Sequence, residues 1–323
     1  MSGARHMPGL KGEFKSGGMA AGLARRLLGR TMKWVDYQKP KNLDEALRLL
    51  QQANGRGRVI AGGTDLIVQL KRKVFVADLL VDITGIEELR QMGEEDGWIR
   101  IGAGVTHAEV ARSHLILREA MALAQGCRGM GSPQIRNMGT LVGNVVNAHA
   151  AGDGAVPLMA LEAELKVASN GGDRWVALEE AYCGVGLSAV DSTKEVATEV
   201  RFKKLGEHSQ TGFFRMAKRK ALAPPIVNGA IAISLGPFRD RIKKARIAIG
   251  PFAYKPFLSK KAEAYLESTE ISDGHILQAC HMASTEGNPR TTLQASDLYR
   301  KKMVEVHLLR TMKGILDGLR KTQ

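Results

Sequence analysis

The chain has 323 residues, 44% of them hydrophobic, a length and composition that suit two domains with sizeable cores and exclude wholesale disorder. Its three cysteines, Cys127, Cys183 and Cys280, lie far apart, which excludes a disulfide scaffold and any CxxC-type zinc or iron–sulfur site within the chain and points to reduced thiols in a cytoplasmic protein. A net charge of +14 by itself hints at nucleic acid, yet aromatics are only 5%, and no apolar run reaches the ~18 residues that cross a bilayer.

Residues 1–31 are Gly-rich and basic, with no apolar period, and read as a leader whose first 18 residues are poorly ordered; Met32 is the natural start. Regular text begins at Trp34. WVDY at 34–37 reads as a short strand, and Asn42 or Asp44 caps a helix with Leu43, Ala46, Leu47 and Leu50 on its apolar face. GRGR turns the chain into a buried strand at Val59-Ile60, which runs straight into Ala61-Gly62-Gly63-Thr64-Asp65. A helical turn follows and ends at the solvated run Lys71-Arg72-Lys73, and 79–83 is a further buried strand. This succession implies a small α/β layer with parallel strands.

Next come a strand over 98–104 and a helix over 105–113, with Thr106 as N-cap and Glu109 at the capping-box position. A helical stretch runs from Leu117 to Cys127. Residues 129–161 are dense in Gly and Asn and are expected to be largely loop and tight turn. Strands at 164–169 and 174–178 flank NGGD, a hairpin signal, and 196–202 is another strand. The polar stretch 203–212 reads as a connection between domains. Strands 229–235 and 243–250 form an antiparallel hairpin. Helices over 259–268, 272–284 and 299–319 close the chain, the last with Met303, Val306, Leu309, Met312 and Leu316 on one face.

Two segments carry the chemistry. In Ala61–Asp65, residues without side chains let the backbone approach a ligand, and successive N–H groups form an anion-binding hollow that suits a pyrophosphate. A tight turn with no ligand is the alternative for one Gly-Gly pair. Neither a Walker lysine nor a full G-x-G-x-x-G follows. The second segment, Gly131 to Asn144, combines glycines with Thr140 and Asn144, and Asp153 stands ready to accept hydrogen bonds from hydroxyls. Other polar candidates read as structural. The eight histidines show no metal-ligand pairing, so no metal site is expected. His107 and His114 read as polar surface, Cys127 and Cys183 as buried small groups, and Met130 and Met138 as packing beneath the loop.

The order AGGTDL, GSPQIRNMGTLVGN, NAHAAGD resembles the flavoprotein subunit of molybdenum hydroxylases, the family of the medium subunits of xanthine and carbon monoxide dehydrogenases. The resemblance covers residue 32 to about residue 310. It implies an α+β fold: a two-subdomain FAD-binding fold of the vanillyl-alcohol-oxidase type over 32–206 (subdomains about 32–86 and 87–206), then a small antiparallel sheet with helices over 207–323. It implies that Ala61, Gly62, Gly63, Thr64 and Asp65 cradle the FAD pyrophosphate. Gly139, Thr140, Gly143 and Asn144 also line the FAD, with Val142 where the family has glycine, and Asp153 contacts the flavin side. Arg215 or Lys218 is the implied cation near the isoalloxazine, while Ala223 stands where the family often has an acid. Implied partners are a molybdopterin-binding large subunit, a [2Fe–2S] small subunit, and NAD or another acceptor.

Two further readings stay open on sequence: a free-standing flavin oxidoreductase, and a flavin-free assembly subunit motivated by Val142 and Ala223. The nucleic-acid reading weakens once the charge is mapped. Residues 32–200 hold 18 basic and 22 acidic side chains, whereas 201–323 hold 23 and 10. The excess therefore sits away from the glycine segments, as partner-facing surface.

Overall fold

The computed structural model describes residues 35–219 and 221–321; the leader expected over 1–31 lies outside them. The first layer is a three-stranded parallel sheet of order β1-β3-β2, from β1 (Asp36–Gln38), β2 (Gly57–Ile60) and β3 (Leu79–Asp82). Helix α1 (Leu43–Gln52) covers it, burying Ala46, Leu47 and Leu50. Its N-cap is Asn42, whose side chain accepts from Glu45 N at 2.9 Å. Helix α2 (Leu66–Lys71) follows β2 at once, and Lys71-Arg72-Lys73 is exposed at its end.

The second layer is a five-stranded antiparallel sheet of order β4-β5-β10-β6-β7. Its strands are β4 (Met92–Glu95), β5 (Trp98–Gly102), β6 (Glu164–Ser169), β7 (Gly172–Ala177) and β10 (Glu195–Lys203); β8 (Tyr182–Gly184) and β9 (Leu187–Ser188) form a separate ribbon. Ile99, Ile101, Leu165, Val167, Val200 and Phe202 alternate inward to a core shared with the first layer. On the outer face the Arg201 guanidinium lies between the rings of Trp98 (4.2 Å) and Trp175 (3.5 Å).

Between β5 and β6 run six short helices: α3 (His107–Arg112), α4 (His114–Glu119), α5 (Met121–Gly129), α6 (Pro133–Met138), α7 (Leu141–Val146) and α8 (Ala155–Ala160). The expected capping box of Thr106 and Glu109 opens α3. The stretch expected as one helix from Leu117 is two, broken at Ala120. The expectation of loop over 129–161 is overturned. Ser132 caps α6, with Pro133 in its first turn, and Thr140 caps α7. Good N-caps start helices even in Gly-rich text.

The last part is a four-stranded antiparallel sheet, β11 (Ser209–Met216), β12 (Val227–Leu235), β13 (Ile242–Gly250) and β14 (Phe257–Leu258), in that order. The expected connection over 203–212 is correspondingly shorter, since β10 ends at Lys203 and β11 starts at Ser209. Three helices complete it: α9 (Lys260–Ser268), α10 (Asp273–Glu286) and α11 (Asp297–Lys321). β12 is buried on both faces along almost its whole length, and β13 is so from Ile247 onward. Ile231, Ile233, Ile247 and Ile249 join the core under α9–α11, while Ala230 and Ala248 face α8 and the first core. The buried stripe of α11 is Val304, Leu308, Met312, Ile315, Leu316 and Leu319, so of the expected face only Met312 and Leu316 are buried. Among the described residues no helix is long and apolar enough to cross a membrane.

Candidate functional site

The strand β2 delivers Ala61–Asp65 to the edge of a cleft. Gly63 has φ +65°, the left-handed region that glycine enters without steric cost. Gly62 is glycine for another reason: a Cβ there would stand 1.9 Å from the carbonyl oxygen of Met138. The two glycine segments are therefore packed backbone against backbone.

The second segment is held by its caps. Ser132 Oγ accepts from Ile135 N at 3.3 Å, and Thr140 Oγ1 accepts from Gly143 N at 3.1 Å. Thr140 bridges Thr106, with His107 N donating to Gly139 O at 3.0 Å and Leu141 N to Val105 O at 3.1 Å. Val142 is buried in the core and is also among the residues lining the cleft. Asn144 Oδ1 accepts from Ala155 N at 3.2 Å, and Asn147 Oδ1 accepts from Gln69 Nε2 at 3.0 Å, tying α7 to α2.

Asp153 is 5% exposed. Its Oδ2 accepts from Arg215 Nε at 2.8 Å and its Oδ1 from Asn228 Nδ2 at 2.7 Å. Burial pushes the Asp153 carboxyl up, against the pull of Arg215 and Asn228. Arg215 also donates to the carbonyl of Ala223.

Ala61, Gly62, Gly63, Thr64, Asp65, Gly139, Thr140, Gly143, Asn144 and Asp153 all line one cleft of about 930 Å³, at the large end of the ~300–1,000 Å³ usual for small-molecule sites. Arg215 lines it too. Lys218 is exposed and is not among the lining residues. Three other expectations are corrected. His107 is not surface but 1% exposed, with Nδ1 3.3 Å from the buried Cys127 Sγ. Cys183 is exposed, and Met138 is 60% exposed.

Sequence reasoning missed the far end of the cleft. Arg58 lines it, stacked over Phe75 at 4.6 Å and donating to Ser192 Oγ at 3.1 Å. Residues 186–192 close that end after a left-handed Gly186. The turn-formers Gly186, Ser188, Asp191 and Ser192 were the available signal. Asn228, on the mostly apolar β12, gave one too: an amide buried in such a strand needs partners.

Residues 31–202 match the family model described as the FAD binding domain in molybdopterin dehydrogenase, and residues 212–315 match the CO dehydrogenase flavoprotein C-terminal domain. The chain is 33% identical over 291 residues to the nicotinate dehydrogenase FAD-subunit of Eubacterium barkeri, covering 89% of this chain and 98% of that one. It is 27% identical to the xanthine dehydrogenase FAD-binding subunit of Escherichia coli O157:H7, covering 86% and 93%. A chain of the Cu,Mo-CO dehydrogenase superposes with a TM-score of 0.81 at 25% identity, covering 88% and 98%. Quinoline 2-oxidoreductase from Pseudomonas putida 86 shares the fold, with a TM-score of 0.81 at 24% identity over 90% of this chain and 99% of that one.

Proposed function

The chain belongs to the family of FAD-binding subunits of molybdopterin dehydrogenases, and from that premise we propose that it relays electrons between [2Fe–2S] clusters on a small partner subunit and an external acceptor such as NAD, in an assembly whose large subunit carries molybdopterin. The observation that carries this reading is the convergence of both glycine segments, Asp153 and Arg215 on one cleft.

The residues fit FAD. Ala61–Asp65 and Gly139–Asn144 present bare backbone from two sides, the arrangement that pyrophosphate requires. The cleft is long enough to continue to Arg58, whose buried Nε has no partner. When bound, FAD supplies the one- and two-electron chemistry, and the protein supplies position and electrostatics. On this reading Arg215 is the cation of the flavin end. Asp153 holds its guanidinium in place and offsets part of its charge. Lys218 is left to the partner-facing surface. The FAD-binding part spans 32–206 and the C-terminal part 207–323.

The test is purification of the tagged chain from its own cells. Co-purification with a molybdopterin-binding chain and an iron–sulfur chain, and anaerobic bleaching of the flavin by NADH in that complex, is expected. A flavoprotein that purifies alone and turns over an organic substrate would sink the reading. Bleaching by the hydroxylation substrate but not by NADH would move the acceptor to a quinone or ferredoxin.

A further inference from the structure

His107 lines the cleft while only 1% exposed. Its Nδ1 is turned to Cys127 Sγ. The opposite ring edge lies between two glycine backbones. A Cβ on Gly139 would stand 3.6 Å from Cδ2, and one on Gly154 would stand 3.0 Å from Cε1. Nε2, the atom between those two carbons, has no hydrogen-bond partner among the described residues. The ring lines the cleft, so an occupant of the cleft is the partner open to Nε2.

The ring is neutral: burial, with the Arg136 guanidinium nearby, lowers its pKa to about 3. Burial also pushes the Cys127 thiol up and keeps it protonated. With the thiol donating to Nδ1, the ring proton sits on Nε2. The location matters as much as the tautomer. His107 N holds Gly139 O, Gly139 abuts Thr64 Oγ1, and Gly62 abuts Met138. The ring edge thus underlies the place where the two glycine segments meet.

We propose that His107 is a cofactor-contacting residue whose Nε2–H donates to a pyrophosphate oxygen of FAD from beneath that junction. The proposal rests on the FAD assignment of the cleft. An uncharged donor fits there because no counter-charge has to be buried with it.

The experiment is titration of apo-protein with FAD, read by flavin fluorescence. Failure of the wild-type protein to bind would remove the FAD assignment itself, not the part given to His107. His107→Leu is expected to weaken FAD by roughly 10-fold, the worth of one hydrogen bond to a charged group. His107→Gln, whose amide N–H reaches toward the Nε2 position, is expected to stay within about 3-fold of wild type, most of that bond being kept. Wild-type affinity in His107→Leu, or equal loss in both variants, overturns the proposal. ADP, which carries the pyrophosphate without the flavin, should show the same Leu-to-wild-type ratio; an unchanged ADP affinity overturns the pyrophosphate contact. Should His107→Leu not fold, wild-type protein labelled with ¹⁵N-histidine decides. FAD is expected to shift the Nε2 resonance and slow exchange of its proton, and an unmoved resonance overturns the proposal.

Discussion

Arg215 Nε lies 2.8 Å from Asp153 Oδ2, a buried ion pair joining β11 to the loop before α8. One partner belongs to the FAD-binding half and the other to the C-terminal sheet. Removing the cation alone leaves a buried carboxylate without its charge partner. Arg215→Ala is therefore expected to cost about 3–5 kcal/mol in denaturant unfolding, and the double variant with Asp153→Asn less than Arg215→Ala alone. A double-variant cost equal to the sum of the Arg215→Ala and Asp153→Asn costs would show that the pair is not coupled.

The two adjacent glycines of the first segment should fail differently. Gly62→Ala places a methyl group 1.9 Å from Met138 O and must part the two segments, so FAD retention is expected to collapse. Gly63→Ala meets only Ile60 and Ile67 side chains, the nearest at 3.0 Å, and forces a left-handed alanine, a cost of about 1–2 kcal/mol. Flavin-to-protein ratios after gel filtration rank the two; the reverse order would mean the segments are not in contact.

The neutral, buried His107 makes stability depend on pH. Its folded pKa of about 3 lies below the ordinary 6.5, so the unfolded chain binds the extra proton. The contribution is intact above pH 6.5 and is lost as pH falls toward 3, at about 1.4 kcal/mol per pH unit. Unfolding free energies of wild type and His107→Gln, measured from pH 7 to pH 5, should converge as the pH drops. Parallel curves would show that the imidazole titrates normally.

The Trp98–Arg201–Trp175 stack lies on the outer face of the five-stranded sheet, away from the cleft. Arg201 also pairs with Glu164 at 2.8 Å. Arg201→Ala is expected to cost about 1–2 kcal/mol and to red-shift tryptophan emission, with FAD affinity unchanged. Altered FAD affinity would place the stack within the binding apparatus.

The sequence made the frame legible where local rules and tertiary demands agree. The Thr106–Glu109 capping box, the AGGTDL turn and the strands around NGGD are such places. It was less legible where two signals competed. Gly and Asn density between 129 and 161 outweighed the caps at Ser132 and Thr140, although a single well-placed hydroxyl suffices to start a helix. His107 was misplaced because a helix start is usually wet, and only the fold puts Gly139 and Gly154 around its ring. On α11 the buried stripe runs through Val304, Leu308 and Ile315, with Met303 and Leu309 packed at its edge, one step from the face that spacing alone suggests. Turn-formers mark the 186–192 segment, but only the topology brings it and Arg58 to the cleft.

The sheet of β12 and β13, with alanines toward one core and isoleucines toward the other, has a practical consequence for recombining these proteins. A C-terminal half grafted from a relative must present an equally shallow surface to α8, since one added methylene at Ala230 or Ala248 has no room to settle. Grafts joined between Lys203 and Ser209 should succeed or fail on those two side chains before anything near the flavin is tested.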